Sequence, residues 1–424
     1  MPHDVAVVGG GWAGIAAAVR AVDAGHRVTL YEMASVLGGR ARGVELDGVE
    51  LDNGQHILIG ACRDTLALMR QVGADPAALL HRMPLSLTFP DGSGLQLRPG
   101  RPVPALLGAV WRRRGWGLRE RVALLRAAGG WAARGFGCDP SWTVGRLCAA
   151  LPAALRRDLI DPLCIAALNT PADRASASVF LRVLRDALFG GAGAADLLLP
   201  RASLARLLPT PAQRWLADHG ARVCTRHRVH AIEPDGARWR VDGMPADAVV
   251  LACTAHEAAR LVRTAAPAWA EVAAAFEHEP IVTVYLRSRG TRLPRPMTAL
   301  HDGADAPAQF VFDHGAIGAT AGTFAAVVSG AAAWIERGLD ATARAVQAQL
   351  VAALGPHWRE PPVVLRTLAE RRATFACQPG LRRPPACIAT GLWAAGDYVE
   401  GPYPSTLEGA VRSGGRAAEG ATAP

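Results

Sequence analysis

Residues 4–32 of this 424-residue chain read DVAVVGGGWAGIAAAVRAVDAGHRVTLYE. The apolar, β-branched run at 4–8 predicts a strand that turns into glycines, and the composition of 15–24 predicts a helix. Residues 25–27 read as a turn, and 28–32 read as a second strand. A strand, a helix and a strand within about 30 residues predict a βαβ unit, the opening of a Rossmann-like domain with a parallel sheet.

The turn after the first strand has the G-x-G-x-x-G spacing of a dinucleotide-binding loop, filled by Gly9, Gly11 and Gly14. Gly9 permits the tight turn, Gly11 lets the backbone approach a pyrophosphate without a Cβ in the way, and Gly14 lets the helix pack against the strand. The helix N-terminus then offers unpaired N–H groups and partial positive charge to the phosphates.

Two features after this helix concern the nucleotide. Glu32 lies 18 residues beyond Gly14, where a carboxylate accepts hydrogen bonds from ribose hydroxyls and repels a 2′-phosphate. The turn Gly38-Gly39-Arg40 can lay backbone N–H groups and a guanidinium on a second phosphate region, or it is an ordinary surface turn. The fingerprint alone does not separate FAD from NAD.

These motifs together resemble the FAD-binding start of the amine-oxidase and phytoene-desaturase superfamily. The other end of the chain is similar to the same superfamily, because 392–397 (LWAAGD) reads as a strand ending in Gly-Asp and 405–411 (STLEGAV) opens a helix. The resemblance implies that the aspartate contacts the ribityl–phosphate chain of FAD. It also implies that the helix points its N-terminus at the pyrimidine ring, where its dipole favours the negative charge of reduced flavin.

The resemblance also implies the fold class and the cofactor site. The expected fold is α/β, with a Rossmann-like (GR2-type) FAD-binding domain interleaved with an α+β substrate-binding domain. The FAD-binding domain is expected at 1–84, 201–260 and 381–424, and the substrate-binding domain at 85–200 and 261–380. The expected FAD-binding residues are Gly9, Gly11, Trp12, Ala13, Gly14, Glu32, Gly38, Gly39, Arg40, Gly54, His56, Val229, Gly396, Asp397, Ser405, Thr406 and Leu407.

The middle of the chain supplies the remaining elements. Residues 85–98 predict a β-hairpin around a Pro-Asp-Gly turn, and 100–195 read as helical, with Trp and Leu alternating with Arg. Residues 246–253 predict a buried parallel strand. Further strands, which we expect to floor a substrate cavity, are predicted at 280–286, 308–312 and 324–328.

The pattern of charged residues indicates which kinds of partner the protein can bind. The formal net charge is +9 and all 46 basic residues are arginine, which excludes lysine-dependent chemistry. Their distribution matches no nucleic-acid-binding module, and the cysteine spacing matches no metal or disulfide framework. Arg112–Arg114, with Arg119, Arg121 and the tryptophans at 111, 116, 131 and 142, favours either a face that contacts anionic lipid or a solvated face with core tryptophans.

Residues 315–335 carry no charge and are long enough to span a bilayer. Their Gly, Ala, Thr and Ser content instead favours a buried strand at 323–329 followed by a helix. The N-terminal residues lack the basic region of a signal peptide. We therefore predict a cytoplasmic protein, with peripheral contact to the inner face of the cytoplasmic membrane as an open alternative.

Several strings resemble one subfamily, the hydroxysqualene dehydroxylases, namely 52–56 (DNGQH), 163–171 (LCIAALNTP), 196–201 (DLLLPR) and 396–410. The resemblance implies that hydroxysqualene and reduced FAD give squalene, water and oxidised FAD. The carbinol carbon is allylic, so loss of the protonated hydroxyl gives a delocalised cation that accepts hydride. A general acid is needed, and the candidates are His56, Tyr403 and Asp52. In their alternative roles, His56 donates to a backbone carbonyl, Tyr403 lines the wall of the cavity, and Asp52 caps the turn that follows it.

Three rival functions share this fold. One is an oxidative polyene desaturase of the phytoene type, with reversed electron flow. Another is an amine oxidase, disfavoured because those enzymes typically place a lysine near flavin N5. The third is a non-catalytic isoprenoid-binding protein, disfavoured because Glu32, Arg40 and Asp397 are all present. The chain shows no second G-x-G-x-x-G, so the electron donor stays unassigned.

Overall fold

The computed structural model describes residues 2–46, 49–113 and 115–423. The strands, in chain order, are β1 (Asp4–Val8), β2 (Arg27–Tyr31), β3 (Gly43–Leu46), β4 (Val49–Asp52), β5 (Leu58–Ile59), β6 (Leu80–Met83), β7 (Ser86–Thr88), β8 (Gly94–Gln96), β9 (Leu197–Pro200), β10 (Arg222–Cys224), β11 (Ile232–Asp235), β12 (Arg238–Val241), β13 (Met244–Ala246), β14 (Ala248–Leu251), β15 (His278–Arg287), β16 (Met297–Ala299), β17 (Phe310–Asp313), β18 (Thr323–Ser329), β19 (Val363–Phe375), β20 (Cys387–Ala389) and β21 (Leu392–Ala394).

The α-helices are α1 (Trp12–Asp23), α2 (Arg63–Gln71), α3 (Pro76–Leu79), α4 (Pro102–Arg112), α5 (Leu118–Ala133), α6 (Val144–Leu147), α7 (Ala153–Leu155), α8 (Asp161–Leu168), α9 (Ala177–Phe189), α10 (Leu204–Leu207), α11 (Pro209–Asp218), α12 (Ala255–Val262), α13 (Pro267–Ala274), α14 (His314–Ile317), α15 (Ala332–Glu336), α16 (Leu339–Leu354) and α17 (Leu407–Ala421). A π-helical turn at Arg156–Ile160 precedes α8, and a 3₁₀ turn at Gly355–His357 follows α16.

The first layer is a sheet with strand order β10-β2-β1-β14-β21-β20, parallel except for β20. Its strands therefore come from the start, the middle and the end of the chain. Val5 and Val7 pack on the side of α1, whereas Ala6 and Val8 pack into a separate core cluster. Both faces of β1 are thus buried, which explains why the strand is apolar without interruption.

The second layer is an antiparallel sheet with order β16-β17-β18-β15-β19. Its two faces belong to different cores, because Val282, Val284 and Leu286 of β15 pack with residues of α16, whereas Tyr285 joins the core shared with the first layer. Successive residues of a strand point to opposite faces, so one face of this sheet is directed towards the parallel-sheet layer.

The elements predicted from the sequence are mostly present. The hairpin at 85–98 is β7 paired with β8, and the strand predicted at 323–329 is β18 with the same bounds, followed by α15. The strand predicted at 308–312 begins two residues later, at Phe310. Within the described residues, the helices are too short or too polar to cross a membrane. The mixed α/β architecture predicted from the sequence is confirmed.

The region between 100 and 195 is helical, but its arginines and tryptophans are not all on the surface. Trp116 and Trp131 are buried, and Trp111 is exposed. Arg113 is also buried, where it forms an ion pair with Asp158. The prediction that Arg112–Arg114 form one basic surface cluster is therefore wrong for Arg113, and Arg114 lies outside the described residues.

The two ends of the chain meet where α17 packs against α1. A Cβ built on Gly414 of α17 would lie 2.1 Å from the carbonyl oxygen of Ala13 in α1. The helices approach this closely only because position 414 has no side chain. This contact holds the middle of α17 against the first turn of α1.

Candidate active site

The glycine turn between β1 and α1 has two kinds of glycine. A Cβ on Gly9, whose φ is +109°, would lie 2.7 Å from the backbone of Ala252, and a Cβ on Gly14 would lie 1.8 Å from the carbonyl oxygen of Gly9. These two glycines are required by packing. Gly11 differs, because the nearest atom to its Cβ position is the Cα of Gly39 at 3.9 Å. Its backbone is open to an approaching phosphate, with the first turn of α1 directly behind it.

Glu32 connects the end of β2 to the glycine turn. Its buried carboxylate accepts hydrogen bonds from the N–H groups of Gly10 and Ala34, both at 2.7 Å. The turn at residues 38–40 is hydrogen-bonded to the glycine turn, since the N–H of Gly38 donates to the carbonyl of Gly10 at 2.8 Å. Each Glu32 oxygen still has acceptor capacity for a ribose hydroxyl.

Val229 lies at the same end of the parallel sheet as Glu32, because the segment after β10 is hydrogen-bonded to the end of β2. Its side chain is buried, and its carbonyl accepts a hydrogen bond from Nη2 of Arg260 at 2.9 Å. Trp12 and Ala13, at the start of α1, are also buried, and the indole N–H of Trp12 donates to the carbonyl of Ala41. These residues shape this end of the candidate site through backbone position and packing.

The predicted residues from opposite ends of the chain form an ion pair. Nη2 of Arg40 lies 2.5 Å from Oδ1 of Asp397, whose side chain is nearly buried. The Asp397 carboxylate raises the pKa of the Arg40 guanidinium. Nη1 of Arg40 donates to the carbonyl of Ala373 at the end of β19, so this arginine also contacts the antiparallel sheet. Arg40 is therefore engaged with protein groups on two sides.

The loop that follows Asp397 is held by Arg383. The Arg383 guanidinium donates to the carbonyl groups of five residues, which are Asp397, Tyr398, Val399, Gly401 and Tyr403. It also lies over the ring of Phe375, with its central carbon 4.9 Å from the ring centroid. Burial lowers the pKa of this guanidinium. No sequence motif indicated a role for Arg383.

The start of α17 follows this loop. Thr406 caps the helix, since its Oγ1 accepts a hydrogen bond from the N–H of Gly409 at 3.1 Å. Ser405 accepts from the N–H of Phe375, and the N–H of Gly396 donates to Ser413. Leu407 is the first helical residue. The hydroxyl of Tyr398 is buried in this loop and has no hydrogen-bond partner among the described residues.

Two of the three candidate general acids lie in the loop Asp52–His56. The carboxylate of Asp52 accepts a hydrogen bond from the N–H of Leu204 at 2.8 Å, and burial raises its pKa to about 7. Nδ1 of His56 lies 3.0 Å from the carbonyl of Gly54. Burial is the main cause that lowers the pKa of His56, and the charge of Arg40 lowers it as well. His56 is therefore neutral at pH 7, with Nδ1–H donating to the carbonyl and Nε2 left as an acceptor.

The third candidate, Tyr403, lies between two guanidinium groups. Its hydroxyl donates to Oδ2 of Asp186 at 2.8 Å and accepts from Arg182 and Arg412. Both arginines also face its ring, at 5.1 and 5.3 Å from the centroid. Burial, together with the Asp186 hydrogen bond, raises the pKa of Tyr403. This network joins α9 to α17 and holds the tyrosine in a fixed position.

The loop Asp52–His56 also contacts the antiparallel sheet. The hydroxyl of Tyr285 donates to the carbonyl of Asp52 at 2.9 Å, and Nε2 of His314 lies 3.0 Å from Oε1 of Gln55. Burial lowers the pKa of His314 to about 4, so its ring is neutral and donates through Nε2. Sequence reasoning quoted Gln55 as part of a motif but missed Tyr285 of β15 and His314 of α14, which only the fold brings to this loop.

Comparison with known proteins agrees with this geometry. The family model described as flavin containing amine oxidoreductase matches residues 12–421. Proteins named hydroxysqualene dehydroxylase from Rhodopseudomonas palustris and Sinorhizobium fredii are each 28% identical to this chain, and each alignment covers 99% of this chain and 98% of the relative. An oxidoreductase structure from Methanosarcina mazei superposes with a TM-score of 0.76 at 15% identity, covering 98% of this chain and all of that one.

The structural likeness shows the shared fold, a Rossmann-like domain with a substrate domain. The match to the family model covers nearly the whole chain, from the first residue of α1 to the last residue of α17. This protein therefore belongs to the flavin-containing amine oxidoreductase family, as a flavin-dependent oxidoreductase.

Proposed function

We propose that this protein is a FAD-dependent hydroxysqualene dehydroxylase, which reduces hydroxysqualene to squalene. The observation that carries the proposal is the 28% identity to two proteins of that name over nearly the full length of both partners. In the overall reaction the C–O bond of the alcohol breaks, hydride and a proton are consumed, and water leaves.

FAD is the flavin that fits the site. Gly11 and the N-terminus of α1 accommodate a pyrophosphate, Glu32 a ribose and Val229 an adenine, while Asp397 and the start of α17 lie at the other end. The buried, unpartnered hydroxyl of Tyr398 is a polar atom that a cofactor can satisfy. We propose the remaining residues assigned to FAD from the sequence as its further contacts.

When bound, reduced FAD supplies the hydride that replaces the hydroxyl group on the allylic carbon. The protein must hold the hydrocarbon, protonate the departing hydroxyl and exclude water from the cation. The antiparallel sheet supports the last task, because its face towards the flavin domain carries Phe310, Phe312 and Val327.

His56, Tyr403 and Asp52 stay our candidates for the general acid. Of the three, Asp52 has a pKa of about 7, which lies near neutral pH, where a general acid both holds its proton and can give it up. The proton of Tyr403 is donated to Asp186, and neutral His56 presents an acceptor. An Asp52→Asn variant that keeps its flavin and its full rate of hydroxysqualene reduction would remove Asp52 from this role.

The decisive experiment uses anaerobic protein reduced with dithionite and then mixed with hydroxysqualene. We expect squalene to form and the flavin to reoxidise in equal amounts. The same protein, oxidised and mixed with phytoene or ζ-carotene, tests the desaturase alternative. Formation of a longer conjugated polyene, without squalene in the first assay, would replace our proposal with that one. A colourless protein that binds no added FAD would favour an isoprenoid-binding role without catalysis.

We also propose that α4 and α5 contact the membrane that holds the water-insoluble substrate. Leu107, Trp111, Leu118 and Val122 are exposed large apolar residues, and Arg121 lies over the Trp111 ring at 5.7 Å. Amphipathic surfaces with aromatic residues and arginines bind anionic lipid interfaces.

The double variant Trp111→Ser, Leu118→Ser should sediment less with anionic vesicles than wild type. Met244→Ser changes an exposed residue on the β12–β13 hairpin and should sediment with the vesicles as much as wild type does. If both variants sedimented equally, α4 and α5 would not be the membrane contact.

A further inference from the structure

Thr283, in the middle of β15, has a buried hydroxyl without a protein partner. The residue is 1% exposed, and among the described residues Oγ1 has no hydrogen-bond partner. Buried polar atoms in native proteins are nearly always hydrogen-bonded, and an exception indicates a ligand or a functional role. The hydroxyl is therefore available to a molecule that enters the site.

The position of Thr283 places it at the candidate active site. Val282 and Val284 pack with α16, so Thr283 points to the opposite face, towards the loop Asp52–His56. A carbon atom built on the Cα of Gly54 would lie 3.7 Å from Oγ1 of Thr283 and 3.8 Å from Cε1 of His56. The hydroxyl and the imidazole therefore border the same small space.

The residues level with Thr283 in the neighbouring strands are apolar. Register across the sheet places Phe310 opposite Val327, Val327 opposite Thr283, and Thr283 opposite Leu368. Residues paired in this way point to the same face, so Thr283 is the polar member of a row of hydrocarbon side chains. A row of this composition suits a long hydrocarbon that carries one hydroxyl.

We propose that Thr283 and His56 bind the hydroxyl group of an isoprenoid alcohol and so distinguish the substrate from its dehydroxylated product. The Thr283 hydroxyl donates to the oxygen of the alcohol, and the O–H of the alcohol donates to Nε2 of His56. The tautomer fits, because Nδ1–H of His56 is already used by the carbonyl of Gly54. Squalene makes neither bond and leaves Thr283 unpaired, which favours release of the product.

This inference rests on the proposed function and assigns residues to its substrate specificity. The test uses the oxidised, FAD-loaded protein, which cannot complete the reduction, and titrates hydroxysqualene and squalene separately while flavin absorbance and tryptophan fluorescence are recorded. We expect the wild-type protein to bind the alcohol at least about tenfold more tightly than squalene. Thr283→Val should bring the two dissociation constants within about twofold, with little change for squalene, and Thr283→Ser should keep the preference.

Flavin content and thermal midpoint show whether each variant is folded, and Thr283→Ala serves if the valine variant is not. A folded Thr283→Val or Thr283→Ala protein that keeps a tenfold preference for the alcohol would overturn the inference, as would a wild-type protein without any preference. The proposed function is judged separately, by squalene formation from the reduced protein. If that assay fails while the alcohol preference depends on Thr283, the hydroxyl site stands and the substrate is another isoprenoid alcohol.

Discussion

The glycine turn of the flavin domain and the β15 face of the antiparallel sheet lie on two sides of the candidate active site, and they obtain their geometry differently. The first uses the backbone, with glycines at 9 and 14 and carbonyl groups held by Arg383. The second uses side chains on a regular strand, such as Thr283 and Tyr285.

This difference has consequences for tolerance to substitution. A site built from close backbone approaches has no space for a Cβ, so a single added carbon displaces the backbone itself. A site built from side chains on a strand keeps its backbone when a side chain is exchanged for one of similar volume. We therefore expect the flavin side to fail through loss of cofactor and fold, and the substrate side to fail through changed affinity and pH response.

The largest effect is expected at Gly14. In Gly14→Ala the new Cβ would lie 1.8 Å from the backbone carbonyl oxygen of Gly9. The Cβ is fixed to the Cα and has no rotamer that avoids this contact, so the backbone itself must move. We expect loss of bound flavin and destabilisation by about 3 kcal/mol or more. Flavin absorbance of the purified protein and its unfolding midpoint in urea measure the two effects.

The control is Gly129→Ala in α5, where no atom lies within 4 Å of the Cβ position. Alanine favours a helix interior over glycine, so this variant should keep its flavin and gain about 0.5–1 kcal/mol. If Gly14→Ala matched the control, the flavin side would be more plastic than its backbone contacts indicate, and the comparison would fail.

The next effect is expected at Arg383, which extends the comparison to the loop after Asp397. Arg383→Met keeps much of the side-chain volume but leaves five carbonyl groups without their donor. At a net value of about 0.5 kcal/mol for each of these part-buried bonds, the loss is on the order of 2.5 kcal/mol, and flavin affinity should fall because Asp397 and the start of α17 lose their position. Arg382→Met changes the exposed neighbour and should retain both stability and flavin. Equal flavin content in the two variants would show that the loop is held by other contacts.

The two sides also differ in how far the sequence predicts them. The glycine spacing, the acidic end of β2 and the Gly-Asp of 396–397 are local patterns, and each lies in the structure where the pattern requires. The ion pair of Arg40 with Asp397 was not predicted as a pair, although both residues were assigned to FAD. A pairing across more than 350 positions depends on the fold, whereas each residue is recognisable within its own motif.

The substrate side depends on register, which local patterns do not contain. Whether Thr283 or Val284 faces the flavin domain is set by the pairing of β15 with β18 and β19, and a shift of one residue would exchange them. Arg113 is a similar case, because a run of three arginines indicates an exposed cluster, yet the fold buries one of them against Asp158. The amino-acid composition of a segment does not tell which of its residues is buried and which is exposed.

A smaller effect is expected at Asp52, on the loop that connects the two sides, and it is a change of stability with pH. Burial, with the nearby charge of Glu50, raises the pKa of this carboxyl from 3.8 to about 7, so the native state binds more protons than the unfolded state between pH 4 and 7. The free energy of unfolding therefore falls as the pH rises through this range, and the full penalty applies above pH 7. Asp52→Asn removes the charge and keeps an oxygen for the N–H of Leu204. Its advantage over the wild type should be small near pH 4 and greatest near pH 8.

Urea unfolding of both proteins at several pH values measures this difference, in which the other titrating groups cancel. Asp91→Asn is the matched control of opposite sign, because the Ser93 hydroxyl lowers the pKa of Asp91 in an exposed turn. A carboxyl with a lowered pKa stabilises the native state above its unfolded pKa and loses this contribution as the pH falls, so Asp91→Asn should be slightly less stable than wild type at pH 8 and equal to it near pH 3. If the advantage of Asp52→Asn did not grow with pH, the Asp52 carboxyl would be solvated in the native protein. The substrate side would then begin beyond this loop, at the face of β15.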